Sequence, residues 1–187
     1  MAWAEDFFCI SVFYSRPFNT VCTAKVYFHI FYTKHSMKNY SYLDISIVSV
    51  FVASKSEETY KKINSILQAA FSELNPDSKN EAEISSEQRS KLIGYERELL
   101  EIIDFDFIVE HPHLSFLKIC KEENVSETDV ENGWELLNSV YNTTLCLIYP
   151  YQVLVAVALH KIKLQFHEEN PLSKMKLPIE VYNKFIN

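Results

Sequence analysis

The chain has 187 residues, a net charge of -7 and 48% hydrophobic residues, with 14% of the chain aromatic. That supplies the core of one domain or two small ones and argues against disorder. Only two glycines occur, Gly94 and Gly133, where average usage gives about a dozen, which argues against a Rossmann fold, a phosphate loop or a hairpin-rich barrel; the acidic balance opposes general nucleic-acid binding, which needs surplus Lys and Arg.

The N-terminal sequence MAWAED is acidic where a secretory signal is basic, so no export is expected, and the sequons at Asn124 and Asn142 are read as unused. From Asn19 to His35 the apolar positions, among them Val21, Ala24, Phe28 and Phe31, fill a broad helical face, with Asn19 or Thr20 available as N-cap after Pro17. The run from Tyr42 to Ala53 is apolar nearly all round. Its β-branched residues also suit a strand, but its continuation into Ser-Lys-Ser-Glu-Glu favours a central helix that surfaces at its C-terminal end.

Thr59 to Phe71 spaces Ile63, Ile66, Leu67 and Ala70 by three and four, which predicts an amphipathic helix opened by Glu57 and Glu58. Residues Asn75 to Ser85 hold Pro76 and little that is apolar, so they read as an exposed loop. Ser85 and Gln88 form a capping box for a helix running through Ile103. After a connector from Phe105 to His113, with Pro112 as a first-turn residue, a helix is expected over Leu114 to Glu123. Ser126 and Asp129 resemble a second capping box, opening a helix through Tyr141.

Leu145 to Leu159 is the longest apolar stretch; it is too short to span a bilayer and carries Pro150, so it reads as core rather than membrane. The apolar helix that begins at Pro150 mirrors Tyr42 to Lys55 at an offset of roughly 110 residues, which suggests one helical unit built twice. Four cysteines, Cys9, Cys22, Cys120 and Cys146, contain no C-x-x-C pair and are expected to be reduced and buried, with no zinc site. His111 and His113 flank Pro112, but no Cys or carboxylate at ligand spacing makes them a metal pair. No catalytic motif is present either: the chain has no nucleophile elbow, no H-E-x-x-H and no kinase glycine loop.

Six strings in order resemble a cyclin, of the transcriptional type represented by cyclin T and cyclin K. TAKVYFHIFY (Thr23 to Tyr32) is similar to the family's second helix, and His35-Ser-Met37 to its exit. VFVASKSEET (Val50 to Thr59) resembles the core of the first cyclin box, and YERELLEIIDFDF (Tyr95 to Phe107) its fifth helix. VEHPH (Val109 to His113) resembles the link to the second box, within which Trp134, Thr143 to Leu145 and Val155 to Ala158 find similar residues. The resemblance implies an all-α protein of two tandem cyclin boxes, 1–108 and 109–187. Both ends are expected to be shortened: the first box helix is reduced to about Trp3 to Phe13, and no fifth helix closes the second box before Asn187.

The resemblance further implies a nuclear, non-catalytic regulatory subunit that binds and activates a cyclin-dependent kinase, one that phosphorylates the RNA polymerase II C-terminal domain. Lys55 and Glu96 match the charged anchors for the kinase's mobile helix, and Val52, Leu100 and Phe107 its apolar pocket. Ser56 stands where some cyclins have a larger residue, and Glu57 is a further candidate contact. Without the resemblance, Lys55 and Glu96 read as a surface ion pair worth about 0 to 1 kcal/mol, and the three apolar residues as core. No cofactor, direct nucleic-acid contact or membrane contact is expected. The alternatives are a TFIIB-like promoter factor, which the acidic charge disfavours, and a cyclin-box scaffold that activates nothing.

Overall fold

The computed structural model describes residues 17–74 and 85–162. All regular structure there is helical, in two units, Met1–Val109 and Glu110–Asn187. The expectations for Trp3 to Phe13, for the loop over 75–84 and for the end of the second box beyond residue 162 lie outside the described residues. No helix among the described residues is long and apolar enough to cross a membrane.

In the first unit, α1 (Phe18–Lys34), α3 (Ile63–Leu74) and α4 (Ser86–Ile102) pack around α2 (Tyr42–Ser56). The all-round apolar surface of α2 explains this central position: Ile45, Val48 and Ala53 are fully buried, as are Phe31 of α1, Ile66 and Leu67 of α3, and Leu92 and Leu99 of α4. Ser46 and Ser54 of α2 enter the core by satisfying themselves locally, whereas the fully buried Ser49 hydroxyl makes no hydrogen bond among the described residues. Ser46 Oγ donates to the Tyr42 carbonyl at 2.7 Å and Ser54 Oγ to the Phe51 carbonyl at 2.7 Å.

Neither Asn19 nor Thr20 caps α1. Pro17 occupies the cap position, and Thr20, 1% exposed, turns its hydroxyl to Thr59 Oγ1 at 3.0 Å. Glu57 and Glu58 do not open α3, which begins later, at Ile63; they close α2 instead. Glu58 sits in the left-handed region at φ 55°, the Glu58 amide bonds the Lys55 carbonyl, and the Thr59 amide bonds the Ser54 carbonyl. These are the paired bonds of a Schellman closure, built without glycine. The same closure ends α4, with Asp104 at φ 52° followed by Phe105 at φ 55°.

The second unit contains α5 (Pro112–Glu122), α6 (Glu127–Val140), the short α7 (Leu145–Ile148) and α8 (Tyr151–Lys161). α8 packs against α5 and α6, burying Val155, Ala158 and Leu159 against Phe116, Cys120 and Leu137. Asn124 supplies the third left-handed closure, at φ 51°, after α5. The serine caps match the capping boxes in the sequence: Ser85 accepts from the Gln88 amide at 3.1 Å and Ser126 from the Asp129 amide at 3.3 Å. The stretch from Leu145 is not all core, since Leu145 is 42% and Ile148 62% exposed. Pro150 ends one short helix and caps the next, so only the residues after it are buried as a helix.

Candidate functional site

The end of α2 gathers most of the candidate residues. Lys55 lies in the last turn, where a cation complements the helix dipole. Its Nζ is 2.6 Å from Glu96 Oε1 on α4 and 4.1 Å from the centre of the Phe51 ring, one turn back on its own helix. The Lys55 side chain is 44% exposed and that of Glu96 16%. Such a pair contributes about 0 to 1 kcal/mol to folding; its value lies in holding an ammonium and a carboxylate in place on an accessible surface.

Beside the pair, Ser56 Oγ donates to the Ala53 carbonyl at 3.1 Å and accepts from the Tyr27 hydroxyl at 3.3 Å. The same Tyr27 hydroxyl is 3.2 Å from the Phe107 carbonyl. Burial pushes the Tyr27 phenol above its ordinary range, as do the Glu57 and Asp106 carboxylates, while the Ser56 hydrogen bond acts in the opposite direction; the phenol stays a neutral donor at physiological pH. Glu57 at the C-cap of α2 is at the wrong end of a helix for a carboxylate, and its Oε1 is stabilised by a 2.7 Å bond from Thr23 Oγ1.

The apolar candidates divide. Val52 is 2% exposed, inside the core, so it backs the surface rather than lining it. Leu100 is half-buried against the core, and its carbonyl accepts from the Phe105 amide in the α4 closure. Phe107 is 40% exposed and makes an edge-to-face contact with Phe105, which is itself 60% exposed; Ile108 is 84% exposed. Phe105 and Ile108 add apolar surface that motif matching did not single out, as Phe51 adds a ring under Lys55. Tyr27 and Thr23 were missed too; they lie four residues apart on α1, but other polar residues of that helix, Lys25 and His29 among them, are also buried, so the sequence does not single them out.

In the second unit, His111 Nδ1 lies 2.8 Å from the Tyr141 hydroxyl, and the His113 Nε2–H donates to Asn138 Oδ1 at 3.1 Å. The His113 ring is buried edge-on to Trp134 at 4.5 Å and stacked on Tyr141 at 5.8 Å. These contacts make the two histidines packing elements at the start of α5. Among the described residues no group of three His, Cys, Asp or Glu side chains gathers to hold a metal.

Residues 14–108, half of the chain, match the Cyclin, N-terminal domain family. The chain therefore belongs to the cyclin family. It is 31% identical over 154 residues to Cyclin pch1 of Schizosaccharomyces pombe, covering 76% of this chain and 43% of that protein. It is likewise 31% identical over 147 residues to human Cyclin-K, covering 76% of this chain and 25% of that protein. With the CTD kinase subunit beta of Schizosaccharomyces pombe it shares 34% identity over 122 residues, 62% of this chain and 36% of that protein. The chain thus spans less than half the length of these relatives. Its fold matches a chain in the crystal structure of the yeast RNA Pol II CTD kinase CTDK-1 complex with a TM-score of 0.76 at 16% identity, covering 100% of this chain and 64% of that chain.

Proposed function

We propose that the chain is a transcriptional cyclin: a nuclear, non-catalytic subunit that binds a cyclin-dependent kinase and activates it toward the C-terminal domain of RNA polymerase II, with the second unit serving as a second cyclin box. The observation that carries this reading is the Lys55–Glu96 pair, held at the accessible end of α2, in a chain that is similar to the CTD kinase subunit beta of fission yeast. The pair offers a donor and an acceptor to the backbone of a docked helix, and the exposed rings of Phe105 and Phe107 offer it an apolar seat. The kinase's regulatory helix, held inward, would keep its Glu on the Lys that orients ATP. The cyclin drives that change by binding the inward state more tightly, and turning a kinase from one to ninety-nine per cent active takes about 5.5 kcal/mol of differential binding.

The test begins with affinity purification on the tagged full chain, which should recover a cyclin-dependent kinase catalytic subunit. Expressed alone, that subunit should phosphorylate a polymerase C-terminal-domain peptide only when the chain is added. Once docking desolvates the pair, removing one partner costs about 2 to 5 kcal/mol, so Lys55→Ala or Glu96→Ala should weaken kinase binding by tens- to thousands-fold, with helicity unchanged. Lys61→Ala, a change at a nearby exposed charge, should have little effect. Recovery of no kinase, or activation that survives both substitutions at wild-type concentrations, overturns the proposal.

A further inference from the structure

We infer that Tyr27 is a positioning residue for the kinase-binding surface, its buried hydroxyl tying the end of α2 to the backbone from which Phe107 projects. The inference rests on the cyclin reading above and adds to it a residue that touches no partner. Thr20, Thr23 and Tyr27 follow one another on α1 at spacings of three and four, which places them on one face of the helix. All three are sealed, at 1%, 0% and 1% exposure. All three reach the closing turn of α2: Thr20 meets Thr59 at 3.0 Å, Thr23 donates to Glu57 at 2.7 Å, and Tyr27 approaches Ser56 at 3.3 Å.

Tyr27 also reaches a second segment. Its hydroxyl is 3.2 Å from the Phe107 carbonyl, and because Ser56 gives its own proton to the Ala53 carbonyl at 3.1 Å, the single phenolic proton is shared between Ser56 Oγ and the Phe107 carbonyl. The segment it holds leaves α4 through two consecutive left-handed residues, Asp104 and Phe105, and turns at Asp106, whose Oδ1 accepts from the Ile108 amide at 3.1 Å. Those local bonds shape the turn, and the Tyr27 bond registers it against α2. A ring presented to a partner from that backbone is aimed by the hydroxyl of a side chain that is itself buried.

The test is a double-substitution cycle with the full chain and the kinase catalytic subunit recovered on it. Tyr27→Phe removes one oxygen and leaves the ring in the core, so the helical fold should remain. Loss of one hydrogen bond corresponds to an affinity decrease of about threefold to tenfold. In a Phe107→Ala background the same substitution should change affinity less than twofold, because the side chain it aims is gone. Melting temperature is read alongside: a merely structural role lowers it and reduces affinity by the same factor in both backgrounds, and that result overturns the inference. Wild-type affinity for Tyr27→Phe, with Lys55→Ala still disruptive, overturns the positioning role alone. If Lys55→Ala is also silent, the kinase-binding reading falls with it.

Discussion

The two glycines of this chain sit in helices, yet replacing each with alanine should move stability in opposite directions. A Cβ built on Gly133 of α6 would lie 2.3 Å from Cζ of Phe116 and 2.8 Å from Cε2, against an optimal carbon–carbon separation of about 3.5 to 4.0 Å. Phe116 is fully buried on α5, under α8, so the ring has little room to retreat. Overpacking of this kind costs about 1 to 3 kcal/mol, and an overlap beyond 1 Å belongs at about the upper end. Alanine returns about 1 kcal/mol of helix propensity, which leaves Gly133→Ala destabilised by about 2 kcal/mol. A Cβ on Gly94 meets nothing within 4 Å, so Gly94→Ala keeps the propensity gain of about 1 kcal/mol. Urea denaturation followed by circular dichroism measures both, and Phe116→Leu added to Gly133→Ala should recover part of the loss, with a coupling of about 1 to 2 kcal/mol. If Gly133→Ala stabilises the protein as much as Gly94→Ala, the close approach of α5 and α6 is wrong.

His113 should make the second unit sensitive to acid. Burial lowers its pKa from 6.5 to about 4, against the opposing hydrogen bond to Asn138 and with a small contribution from His111. The unfolded chain therefore binds more protons than the folded one between those values, and stability falls as pH drops through this window, by about 2 kcal/mol at pH 5 and about 3 at pH 4. Comparing wild type with His113→Gln in denaturation curves from pH 7 to 4 isolates this slope from that of the carboxylates; equal slopes would refute it. At the end of α4, Asp104→Gly should raise stability by about 0.5 to 1 kcal/mol, since glycine takes φ 52° without strain and offsets the extra freedom it gives the unfolded chain. A lower melting temperature for that variant would argue against the left-handed closure.

What the sequence revealed and what it hid follow from the range of the forces involved. The central helices α2 and α8 are legible because their apolar residues run all round, and the starts of α4 and α6 because a capping serine bonds an amide three residues on. The ends of α4 and α5, at Ile102 and Glu122, fall within a residue of where the spacing puts them, but the closures themselves are hidden: the residue that usually marks one is glycine, and here Glu58, Asp104 and Asn124 take its place. That substitution also explains why Glu57 and Glu58 read as the start of a helix when they end one. At the candidate site, Lys55 and Glu96 are separated by most of two helices, and only packing brings them to 2.6 Å; the family motif placed them, and periodicity could not have. Val52 shows the opposite limit, because a motif position does not distinguish a residue lining a surface from one beneath it.

Cys120, placed on α5 against α8, also bears on the protein's chemistry in solution. The thiol is 3% exposed, and burial pushes its pKa up to about 11, so at pH 7 about one molecule in ten thousand carries the thiolate that alkylating reagents and oxidants attack. Its reactivity is therefore gated by opening of the second unit, and the rate at which a small electrophile labels it counts those openings. The partly exposed Cys146 provides the ungated comparison within the same unit. A partner that braces the second unit would slow labelling at Cys120 and leave Cys146 unchanged, giving a chemical readout of that bracing.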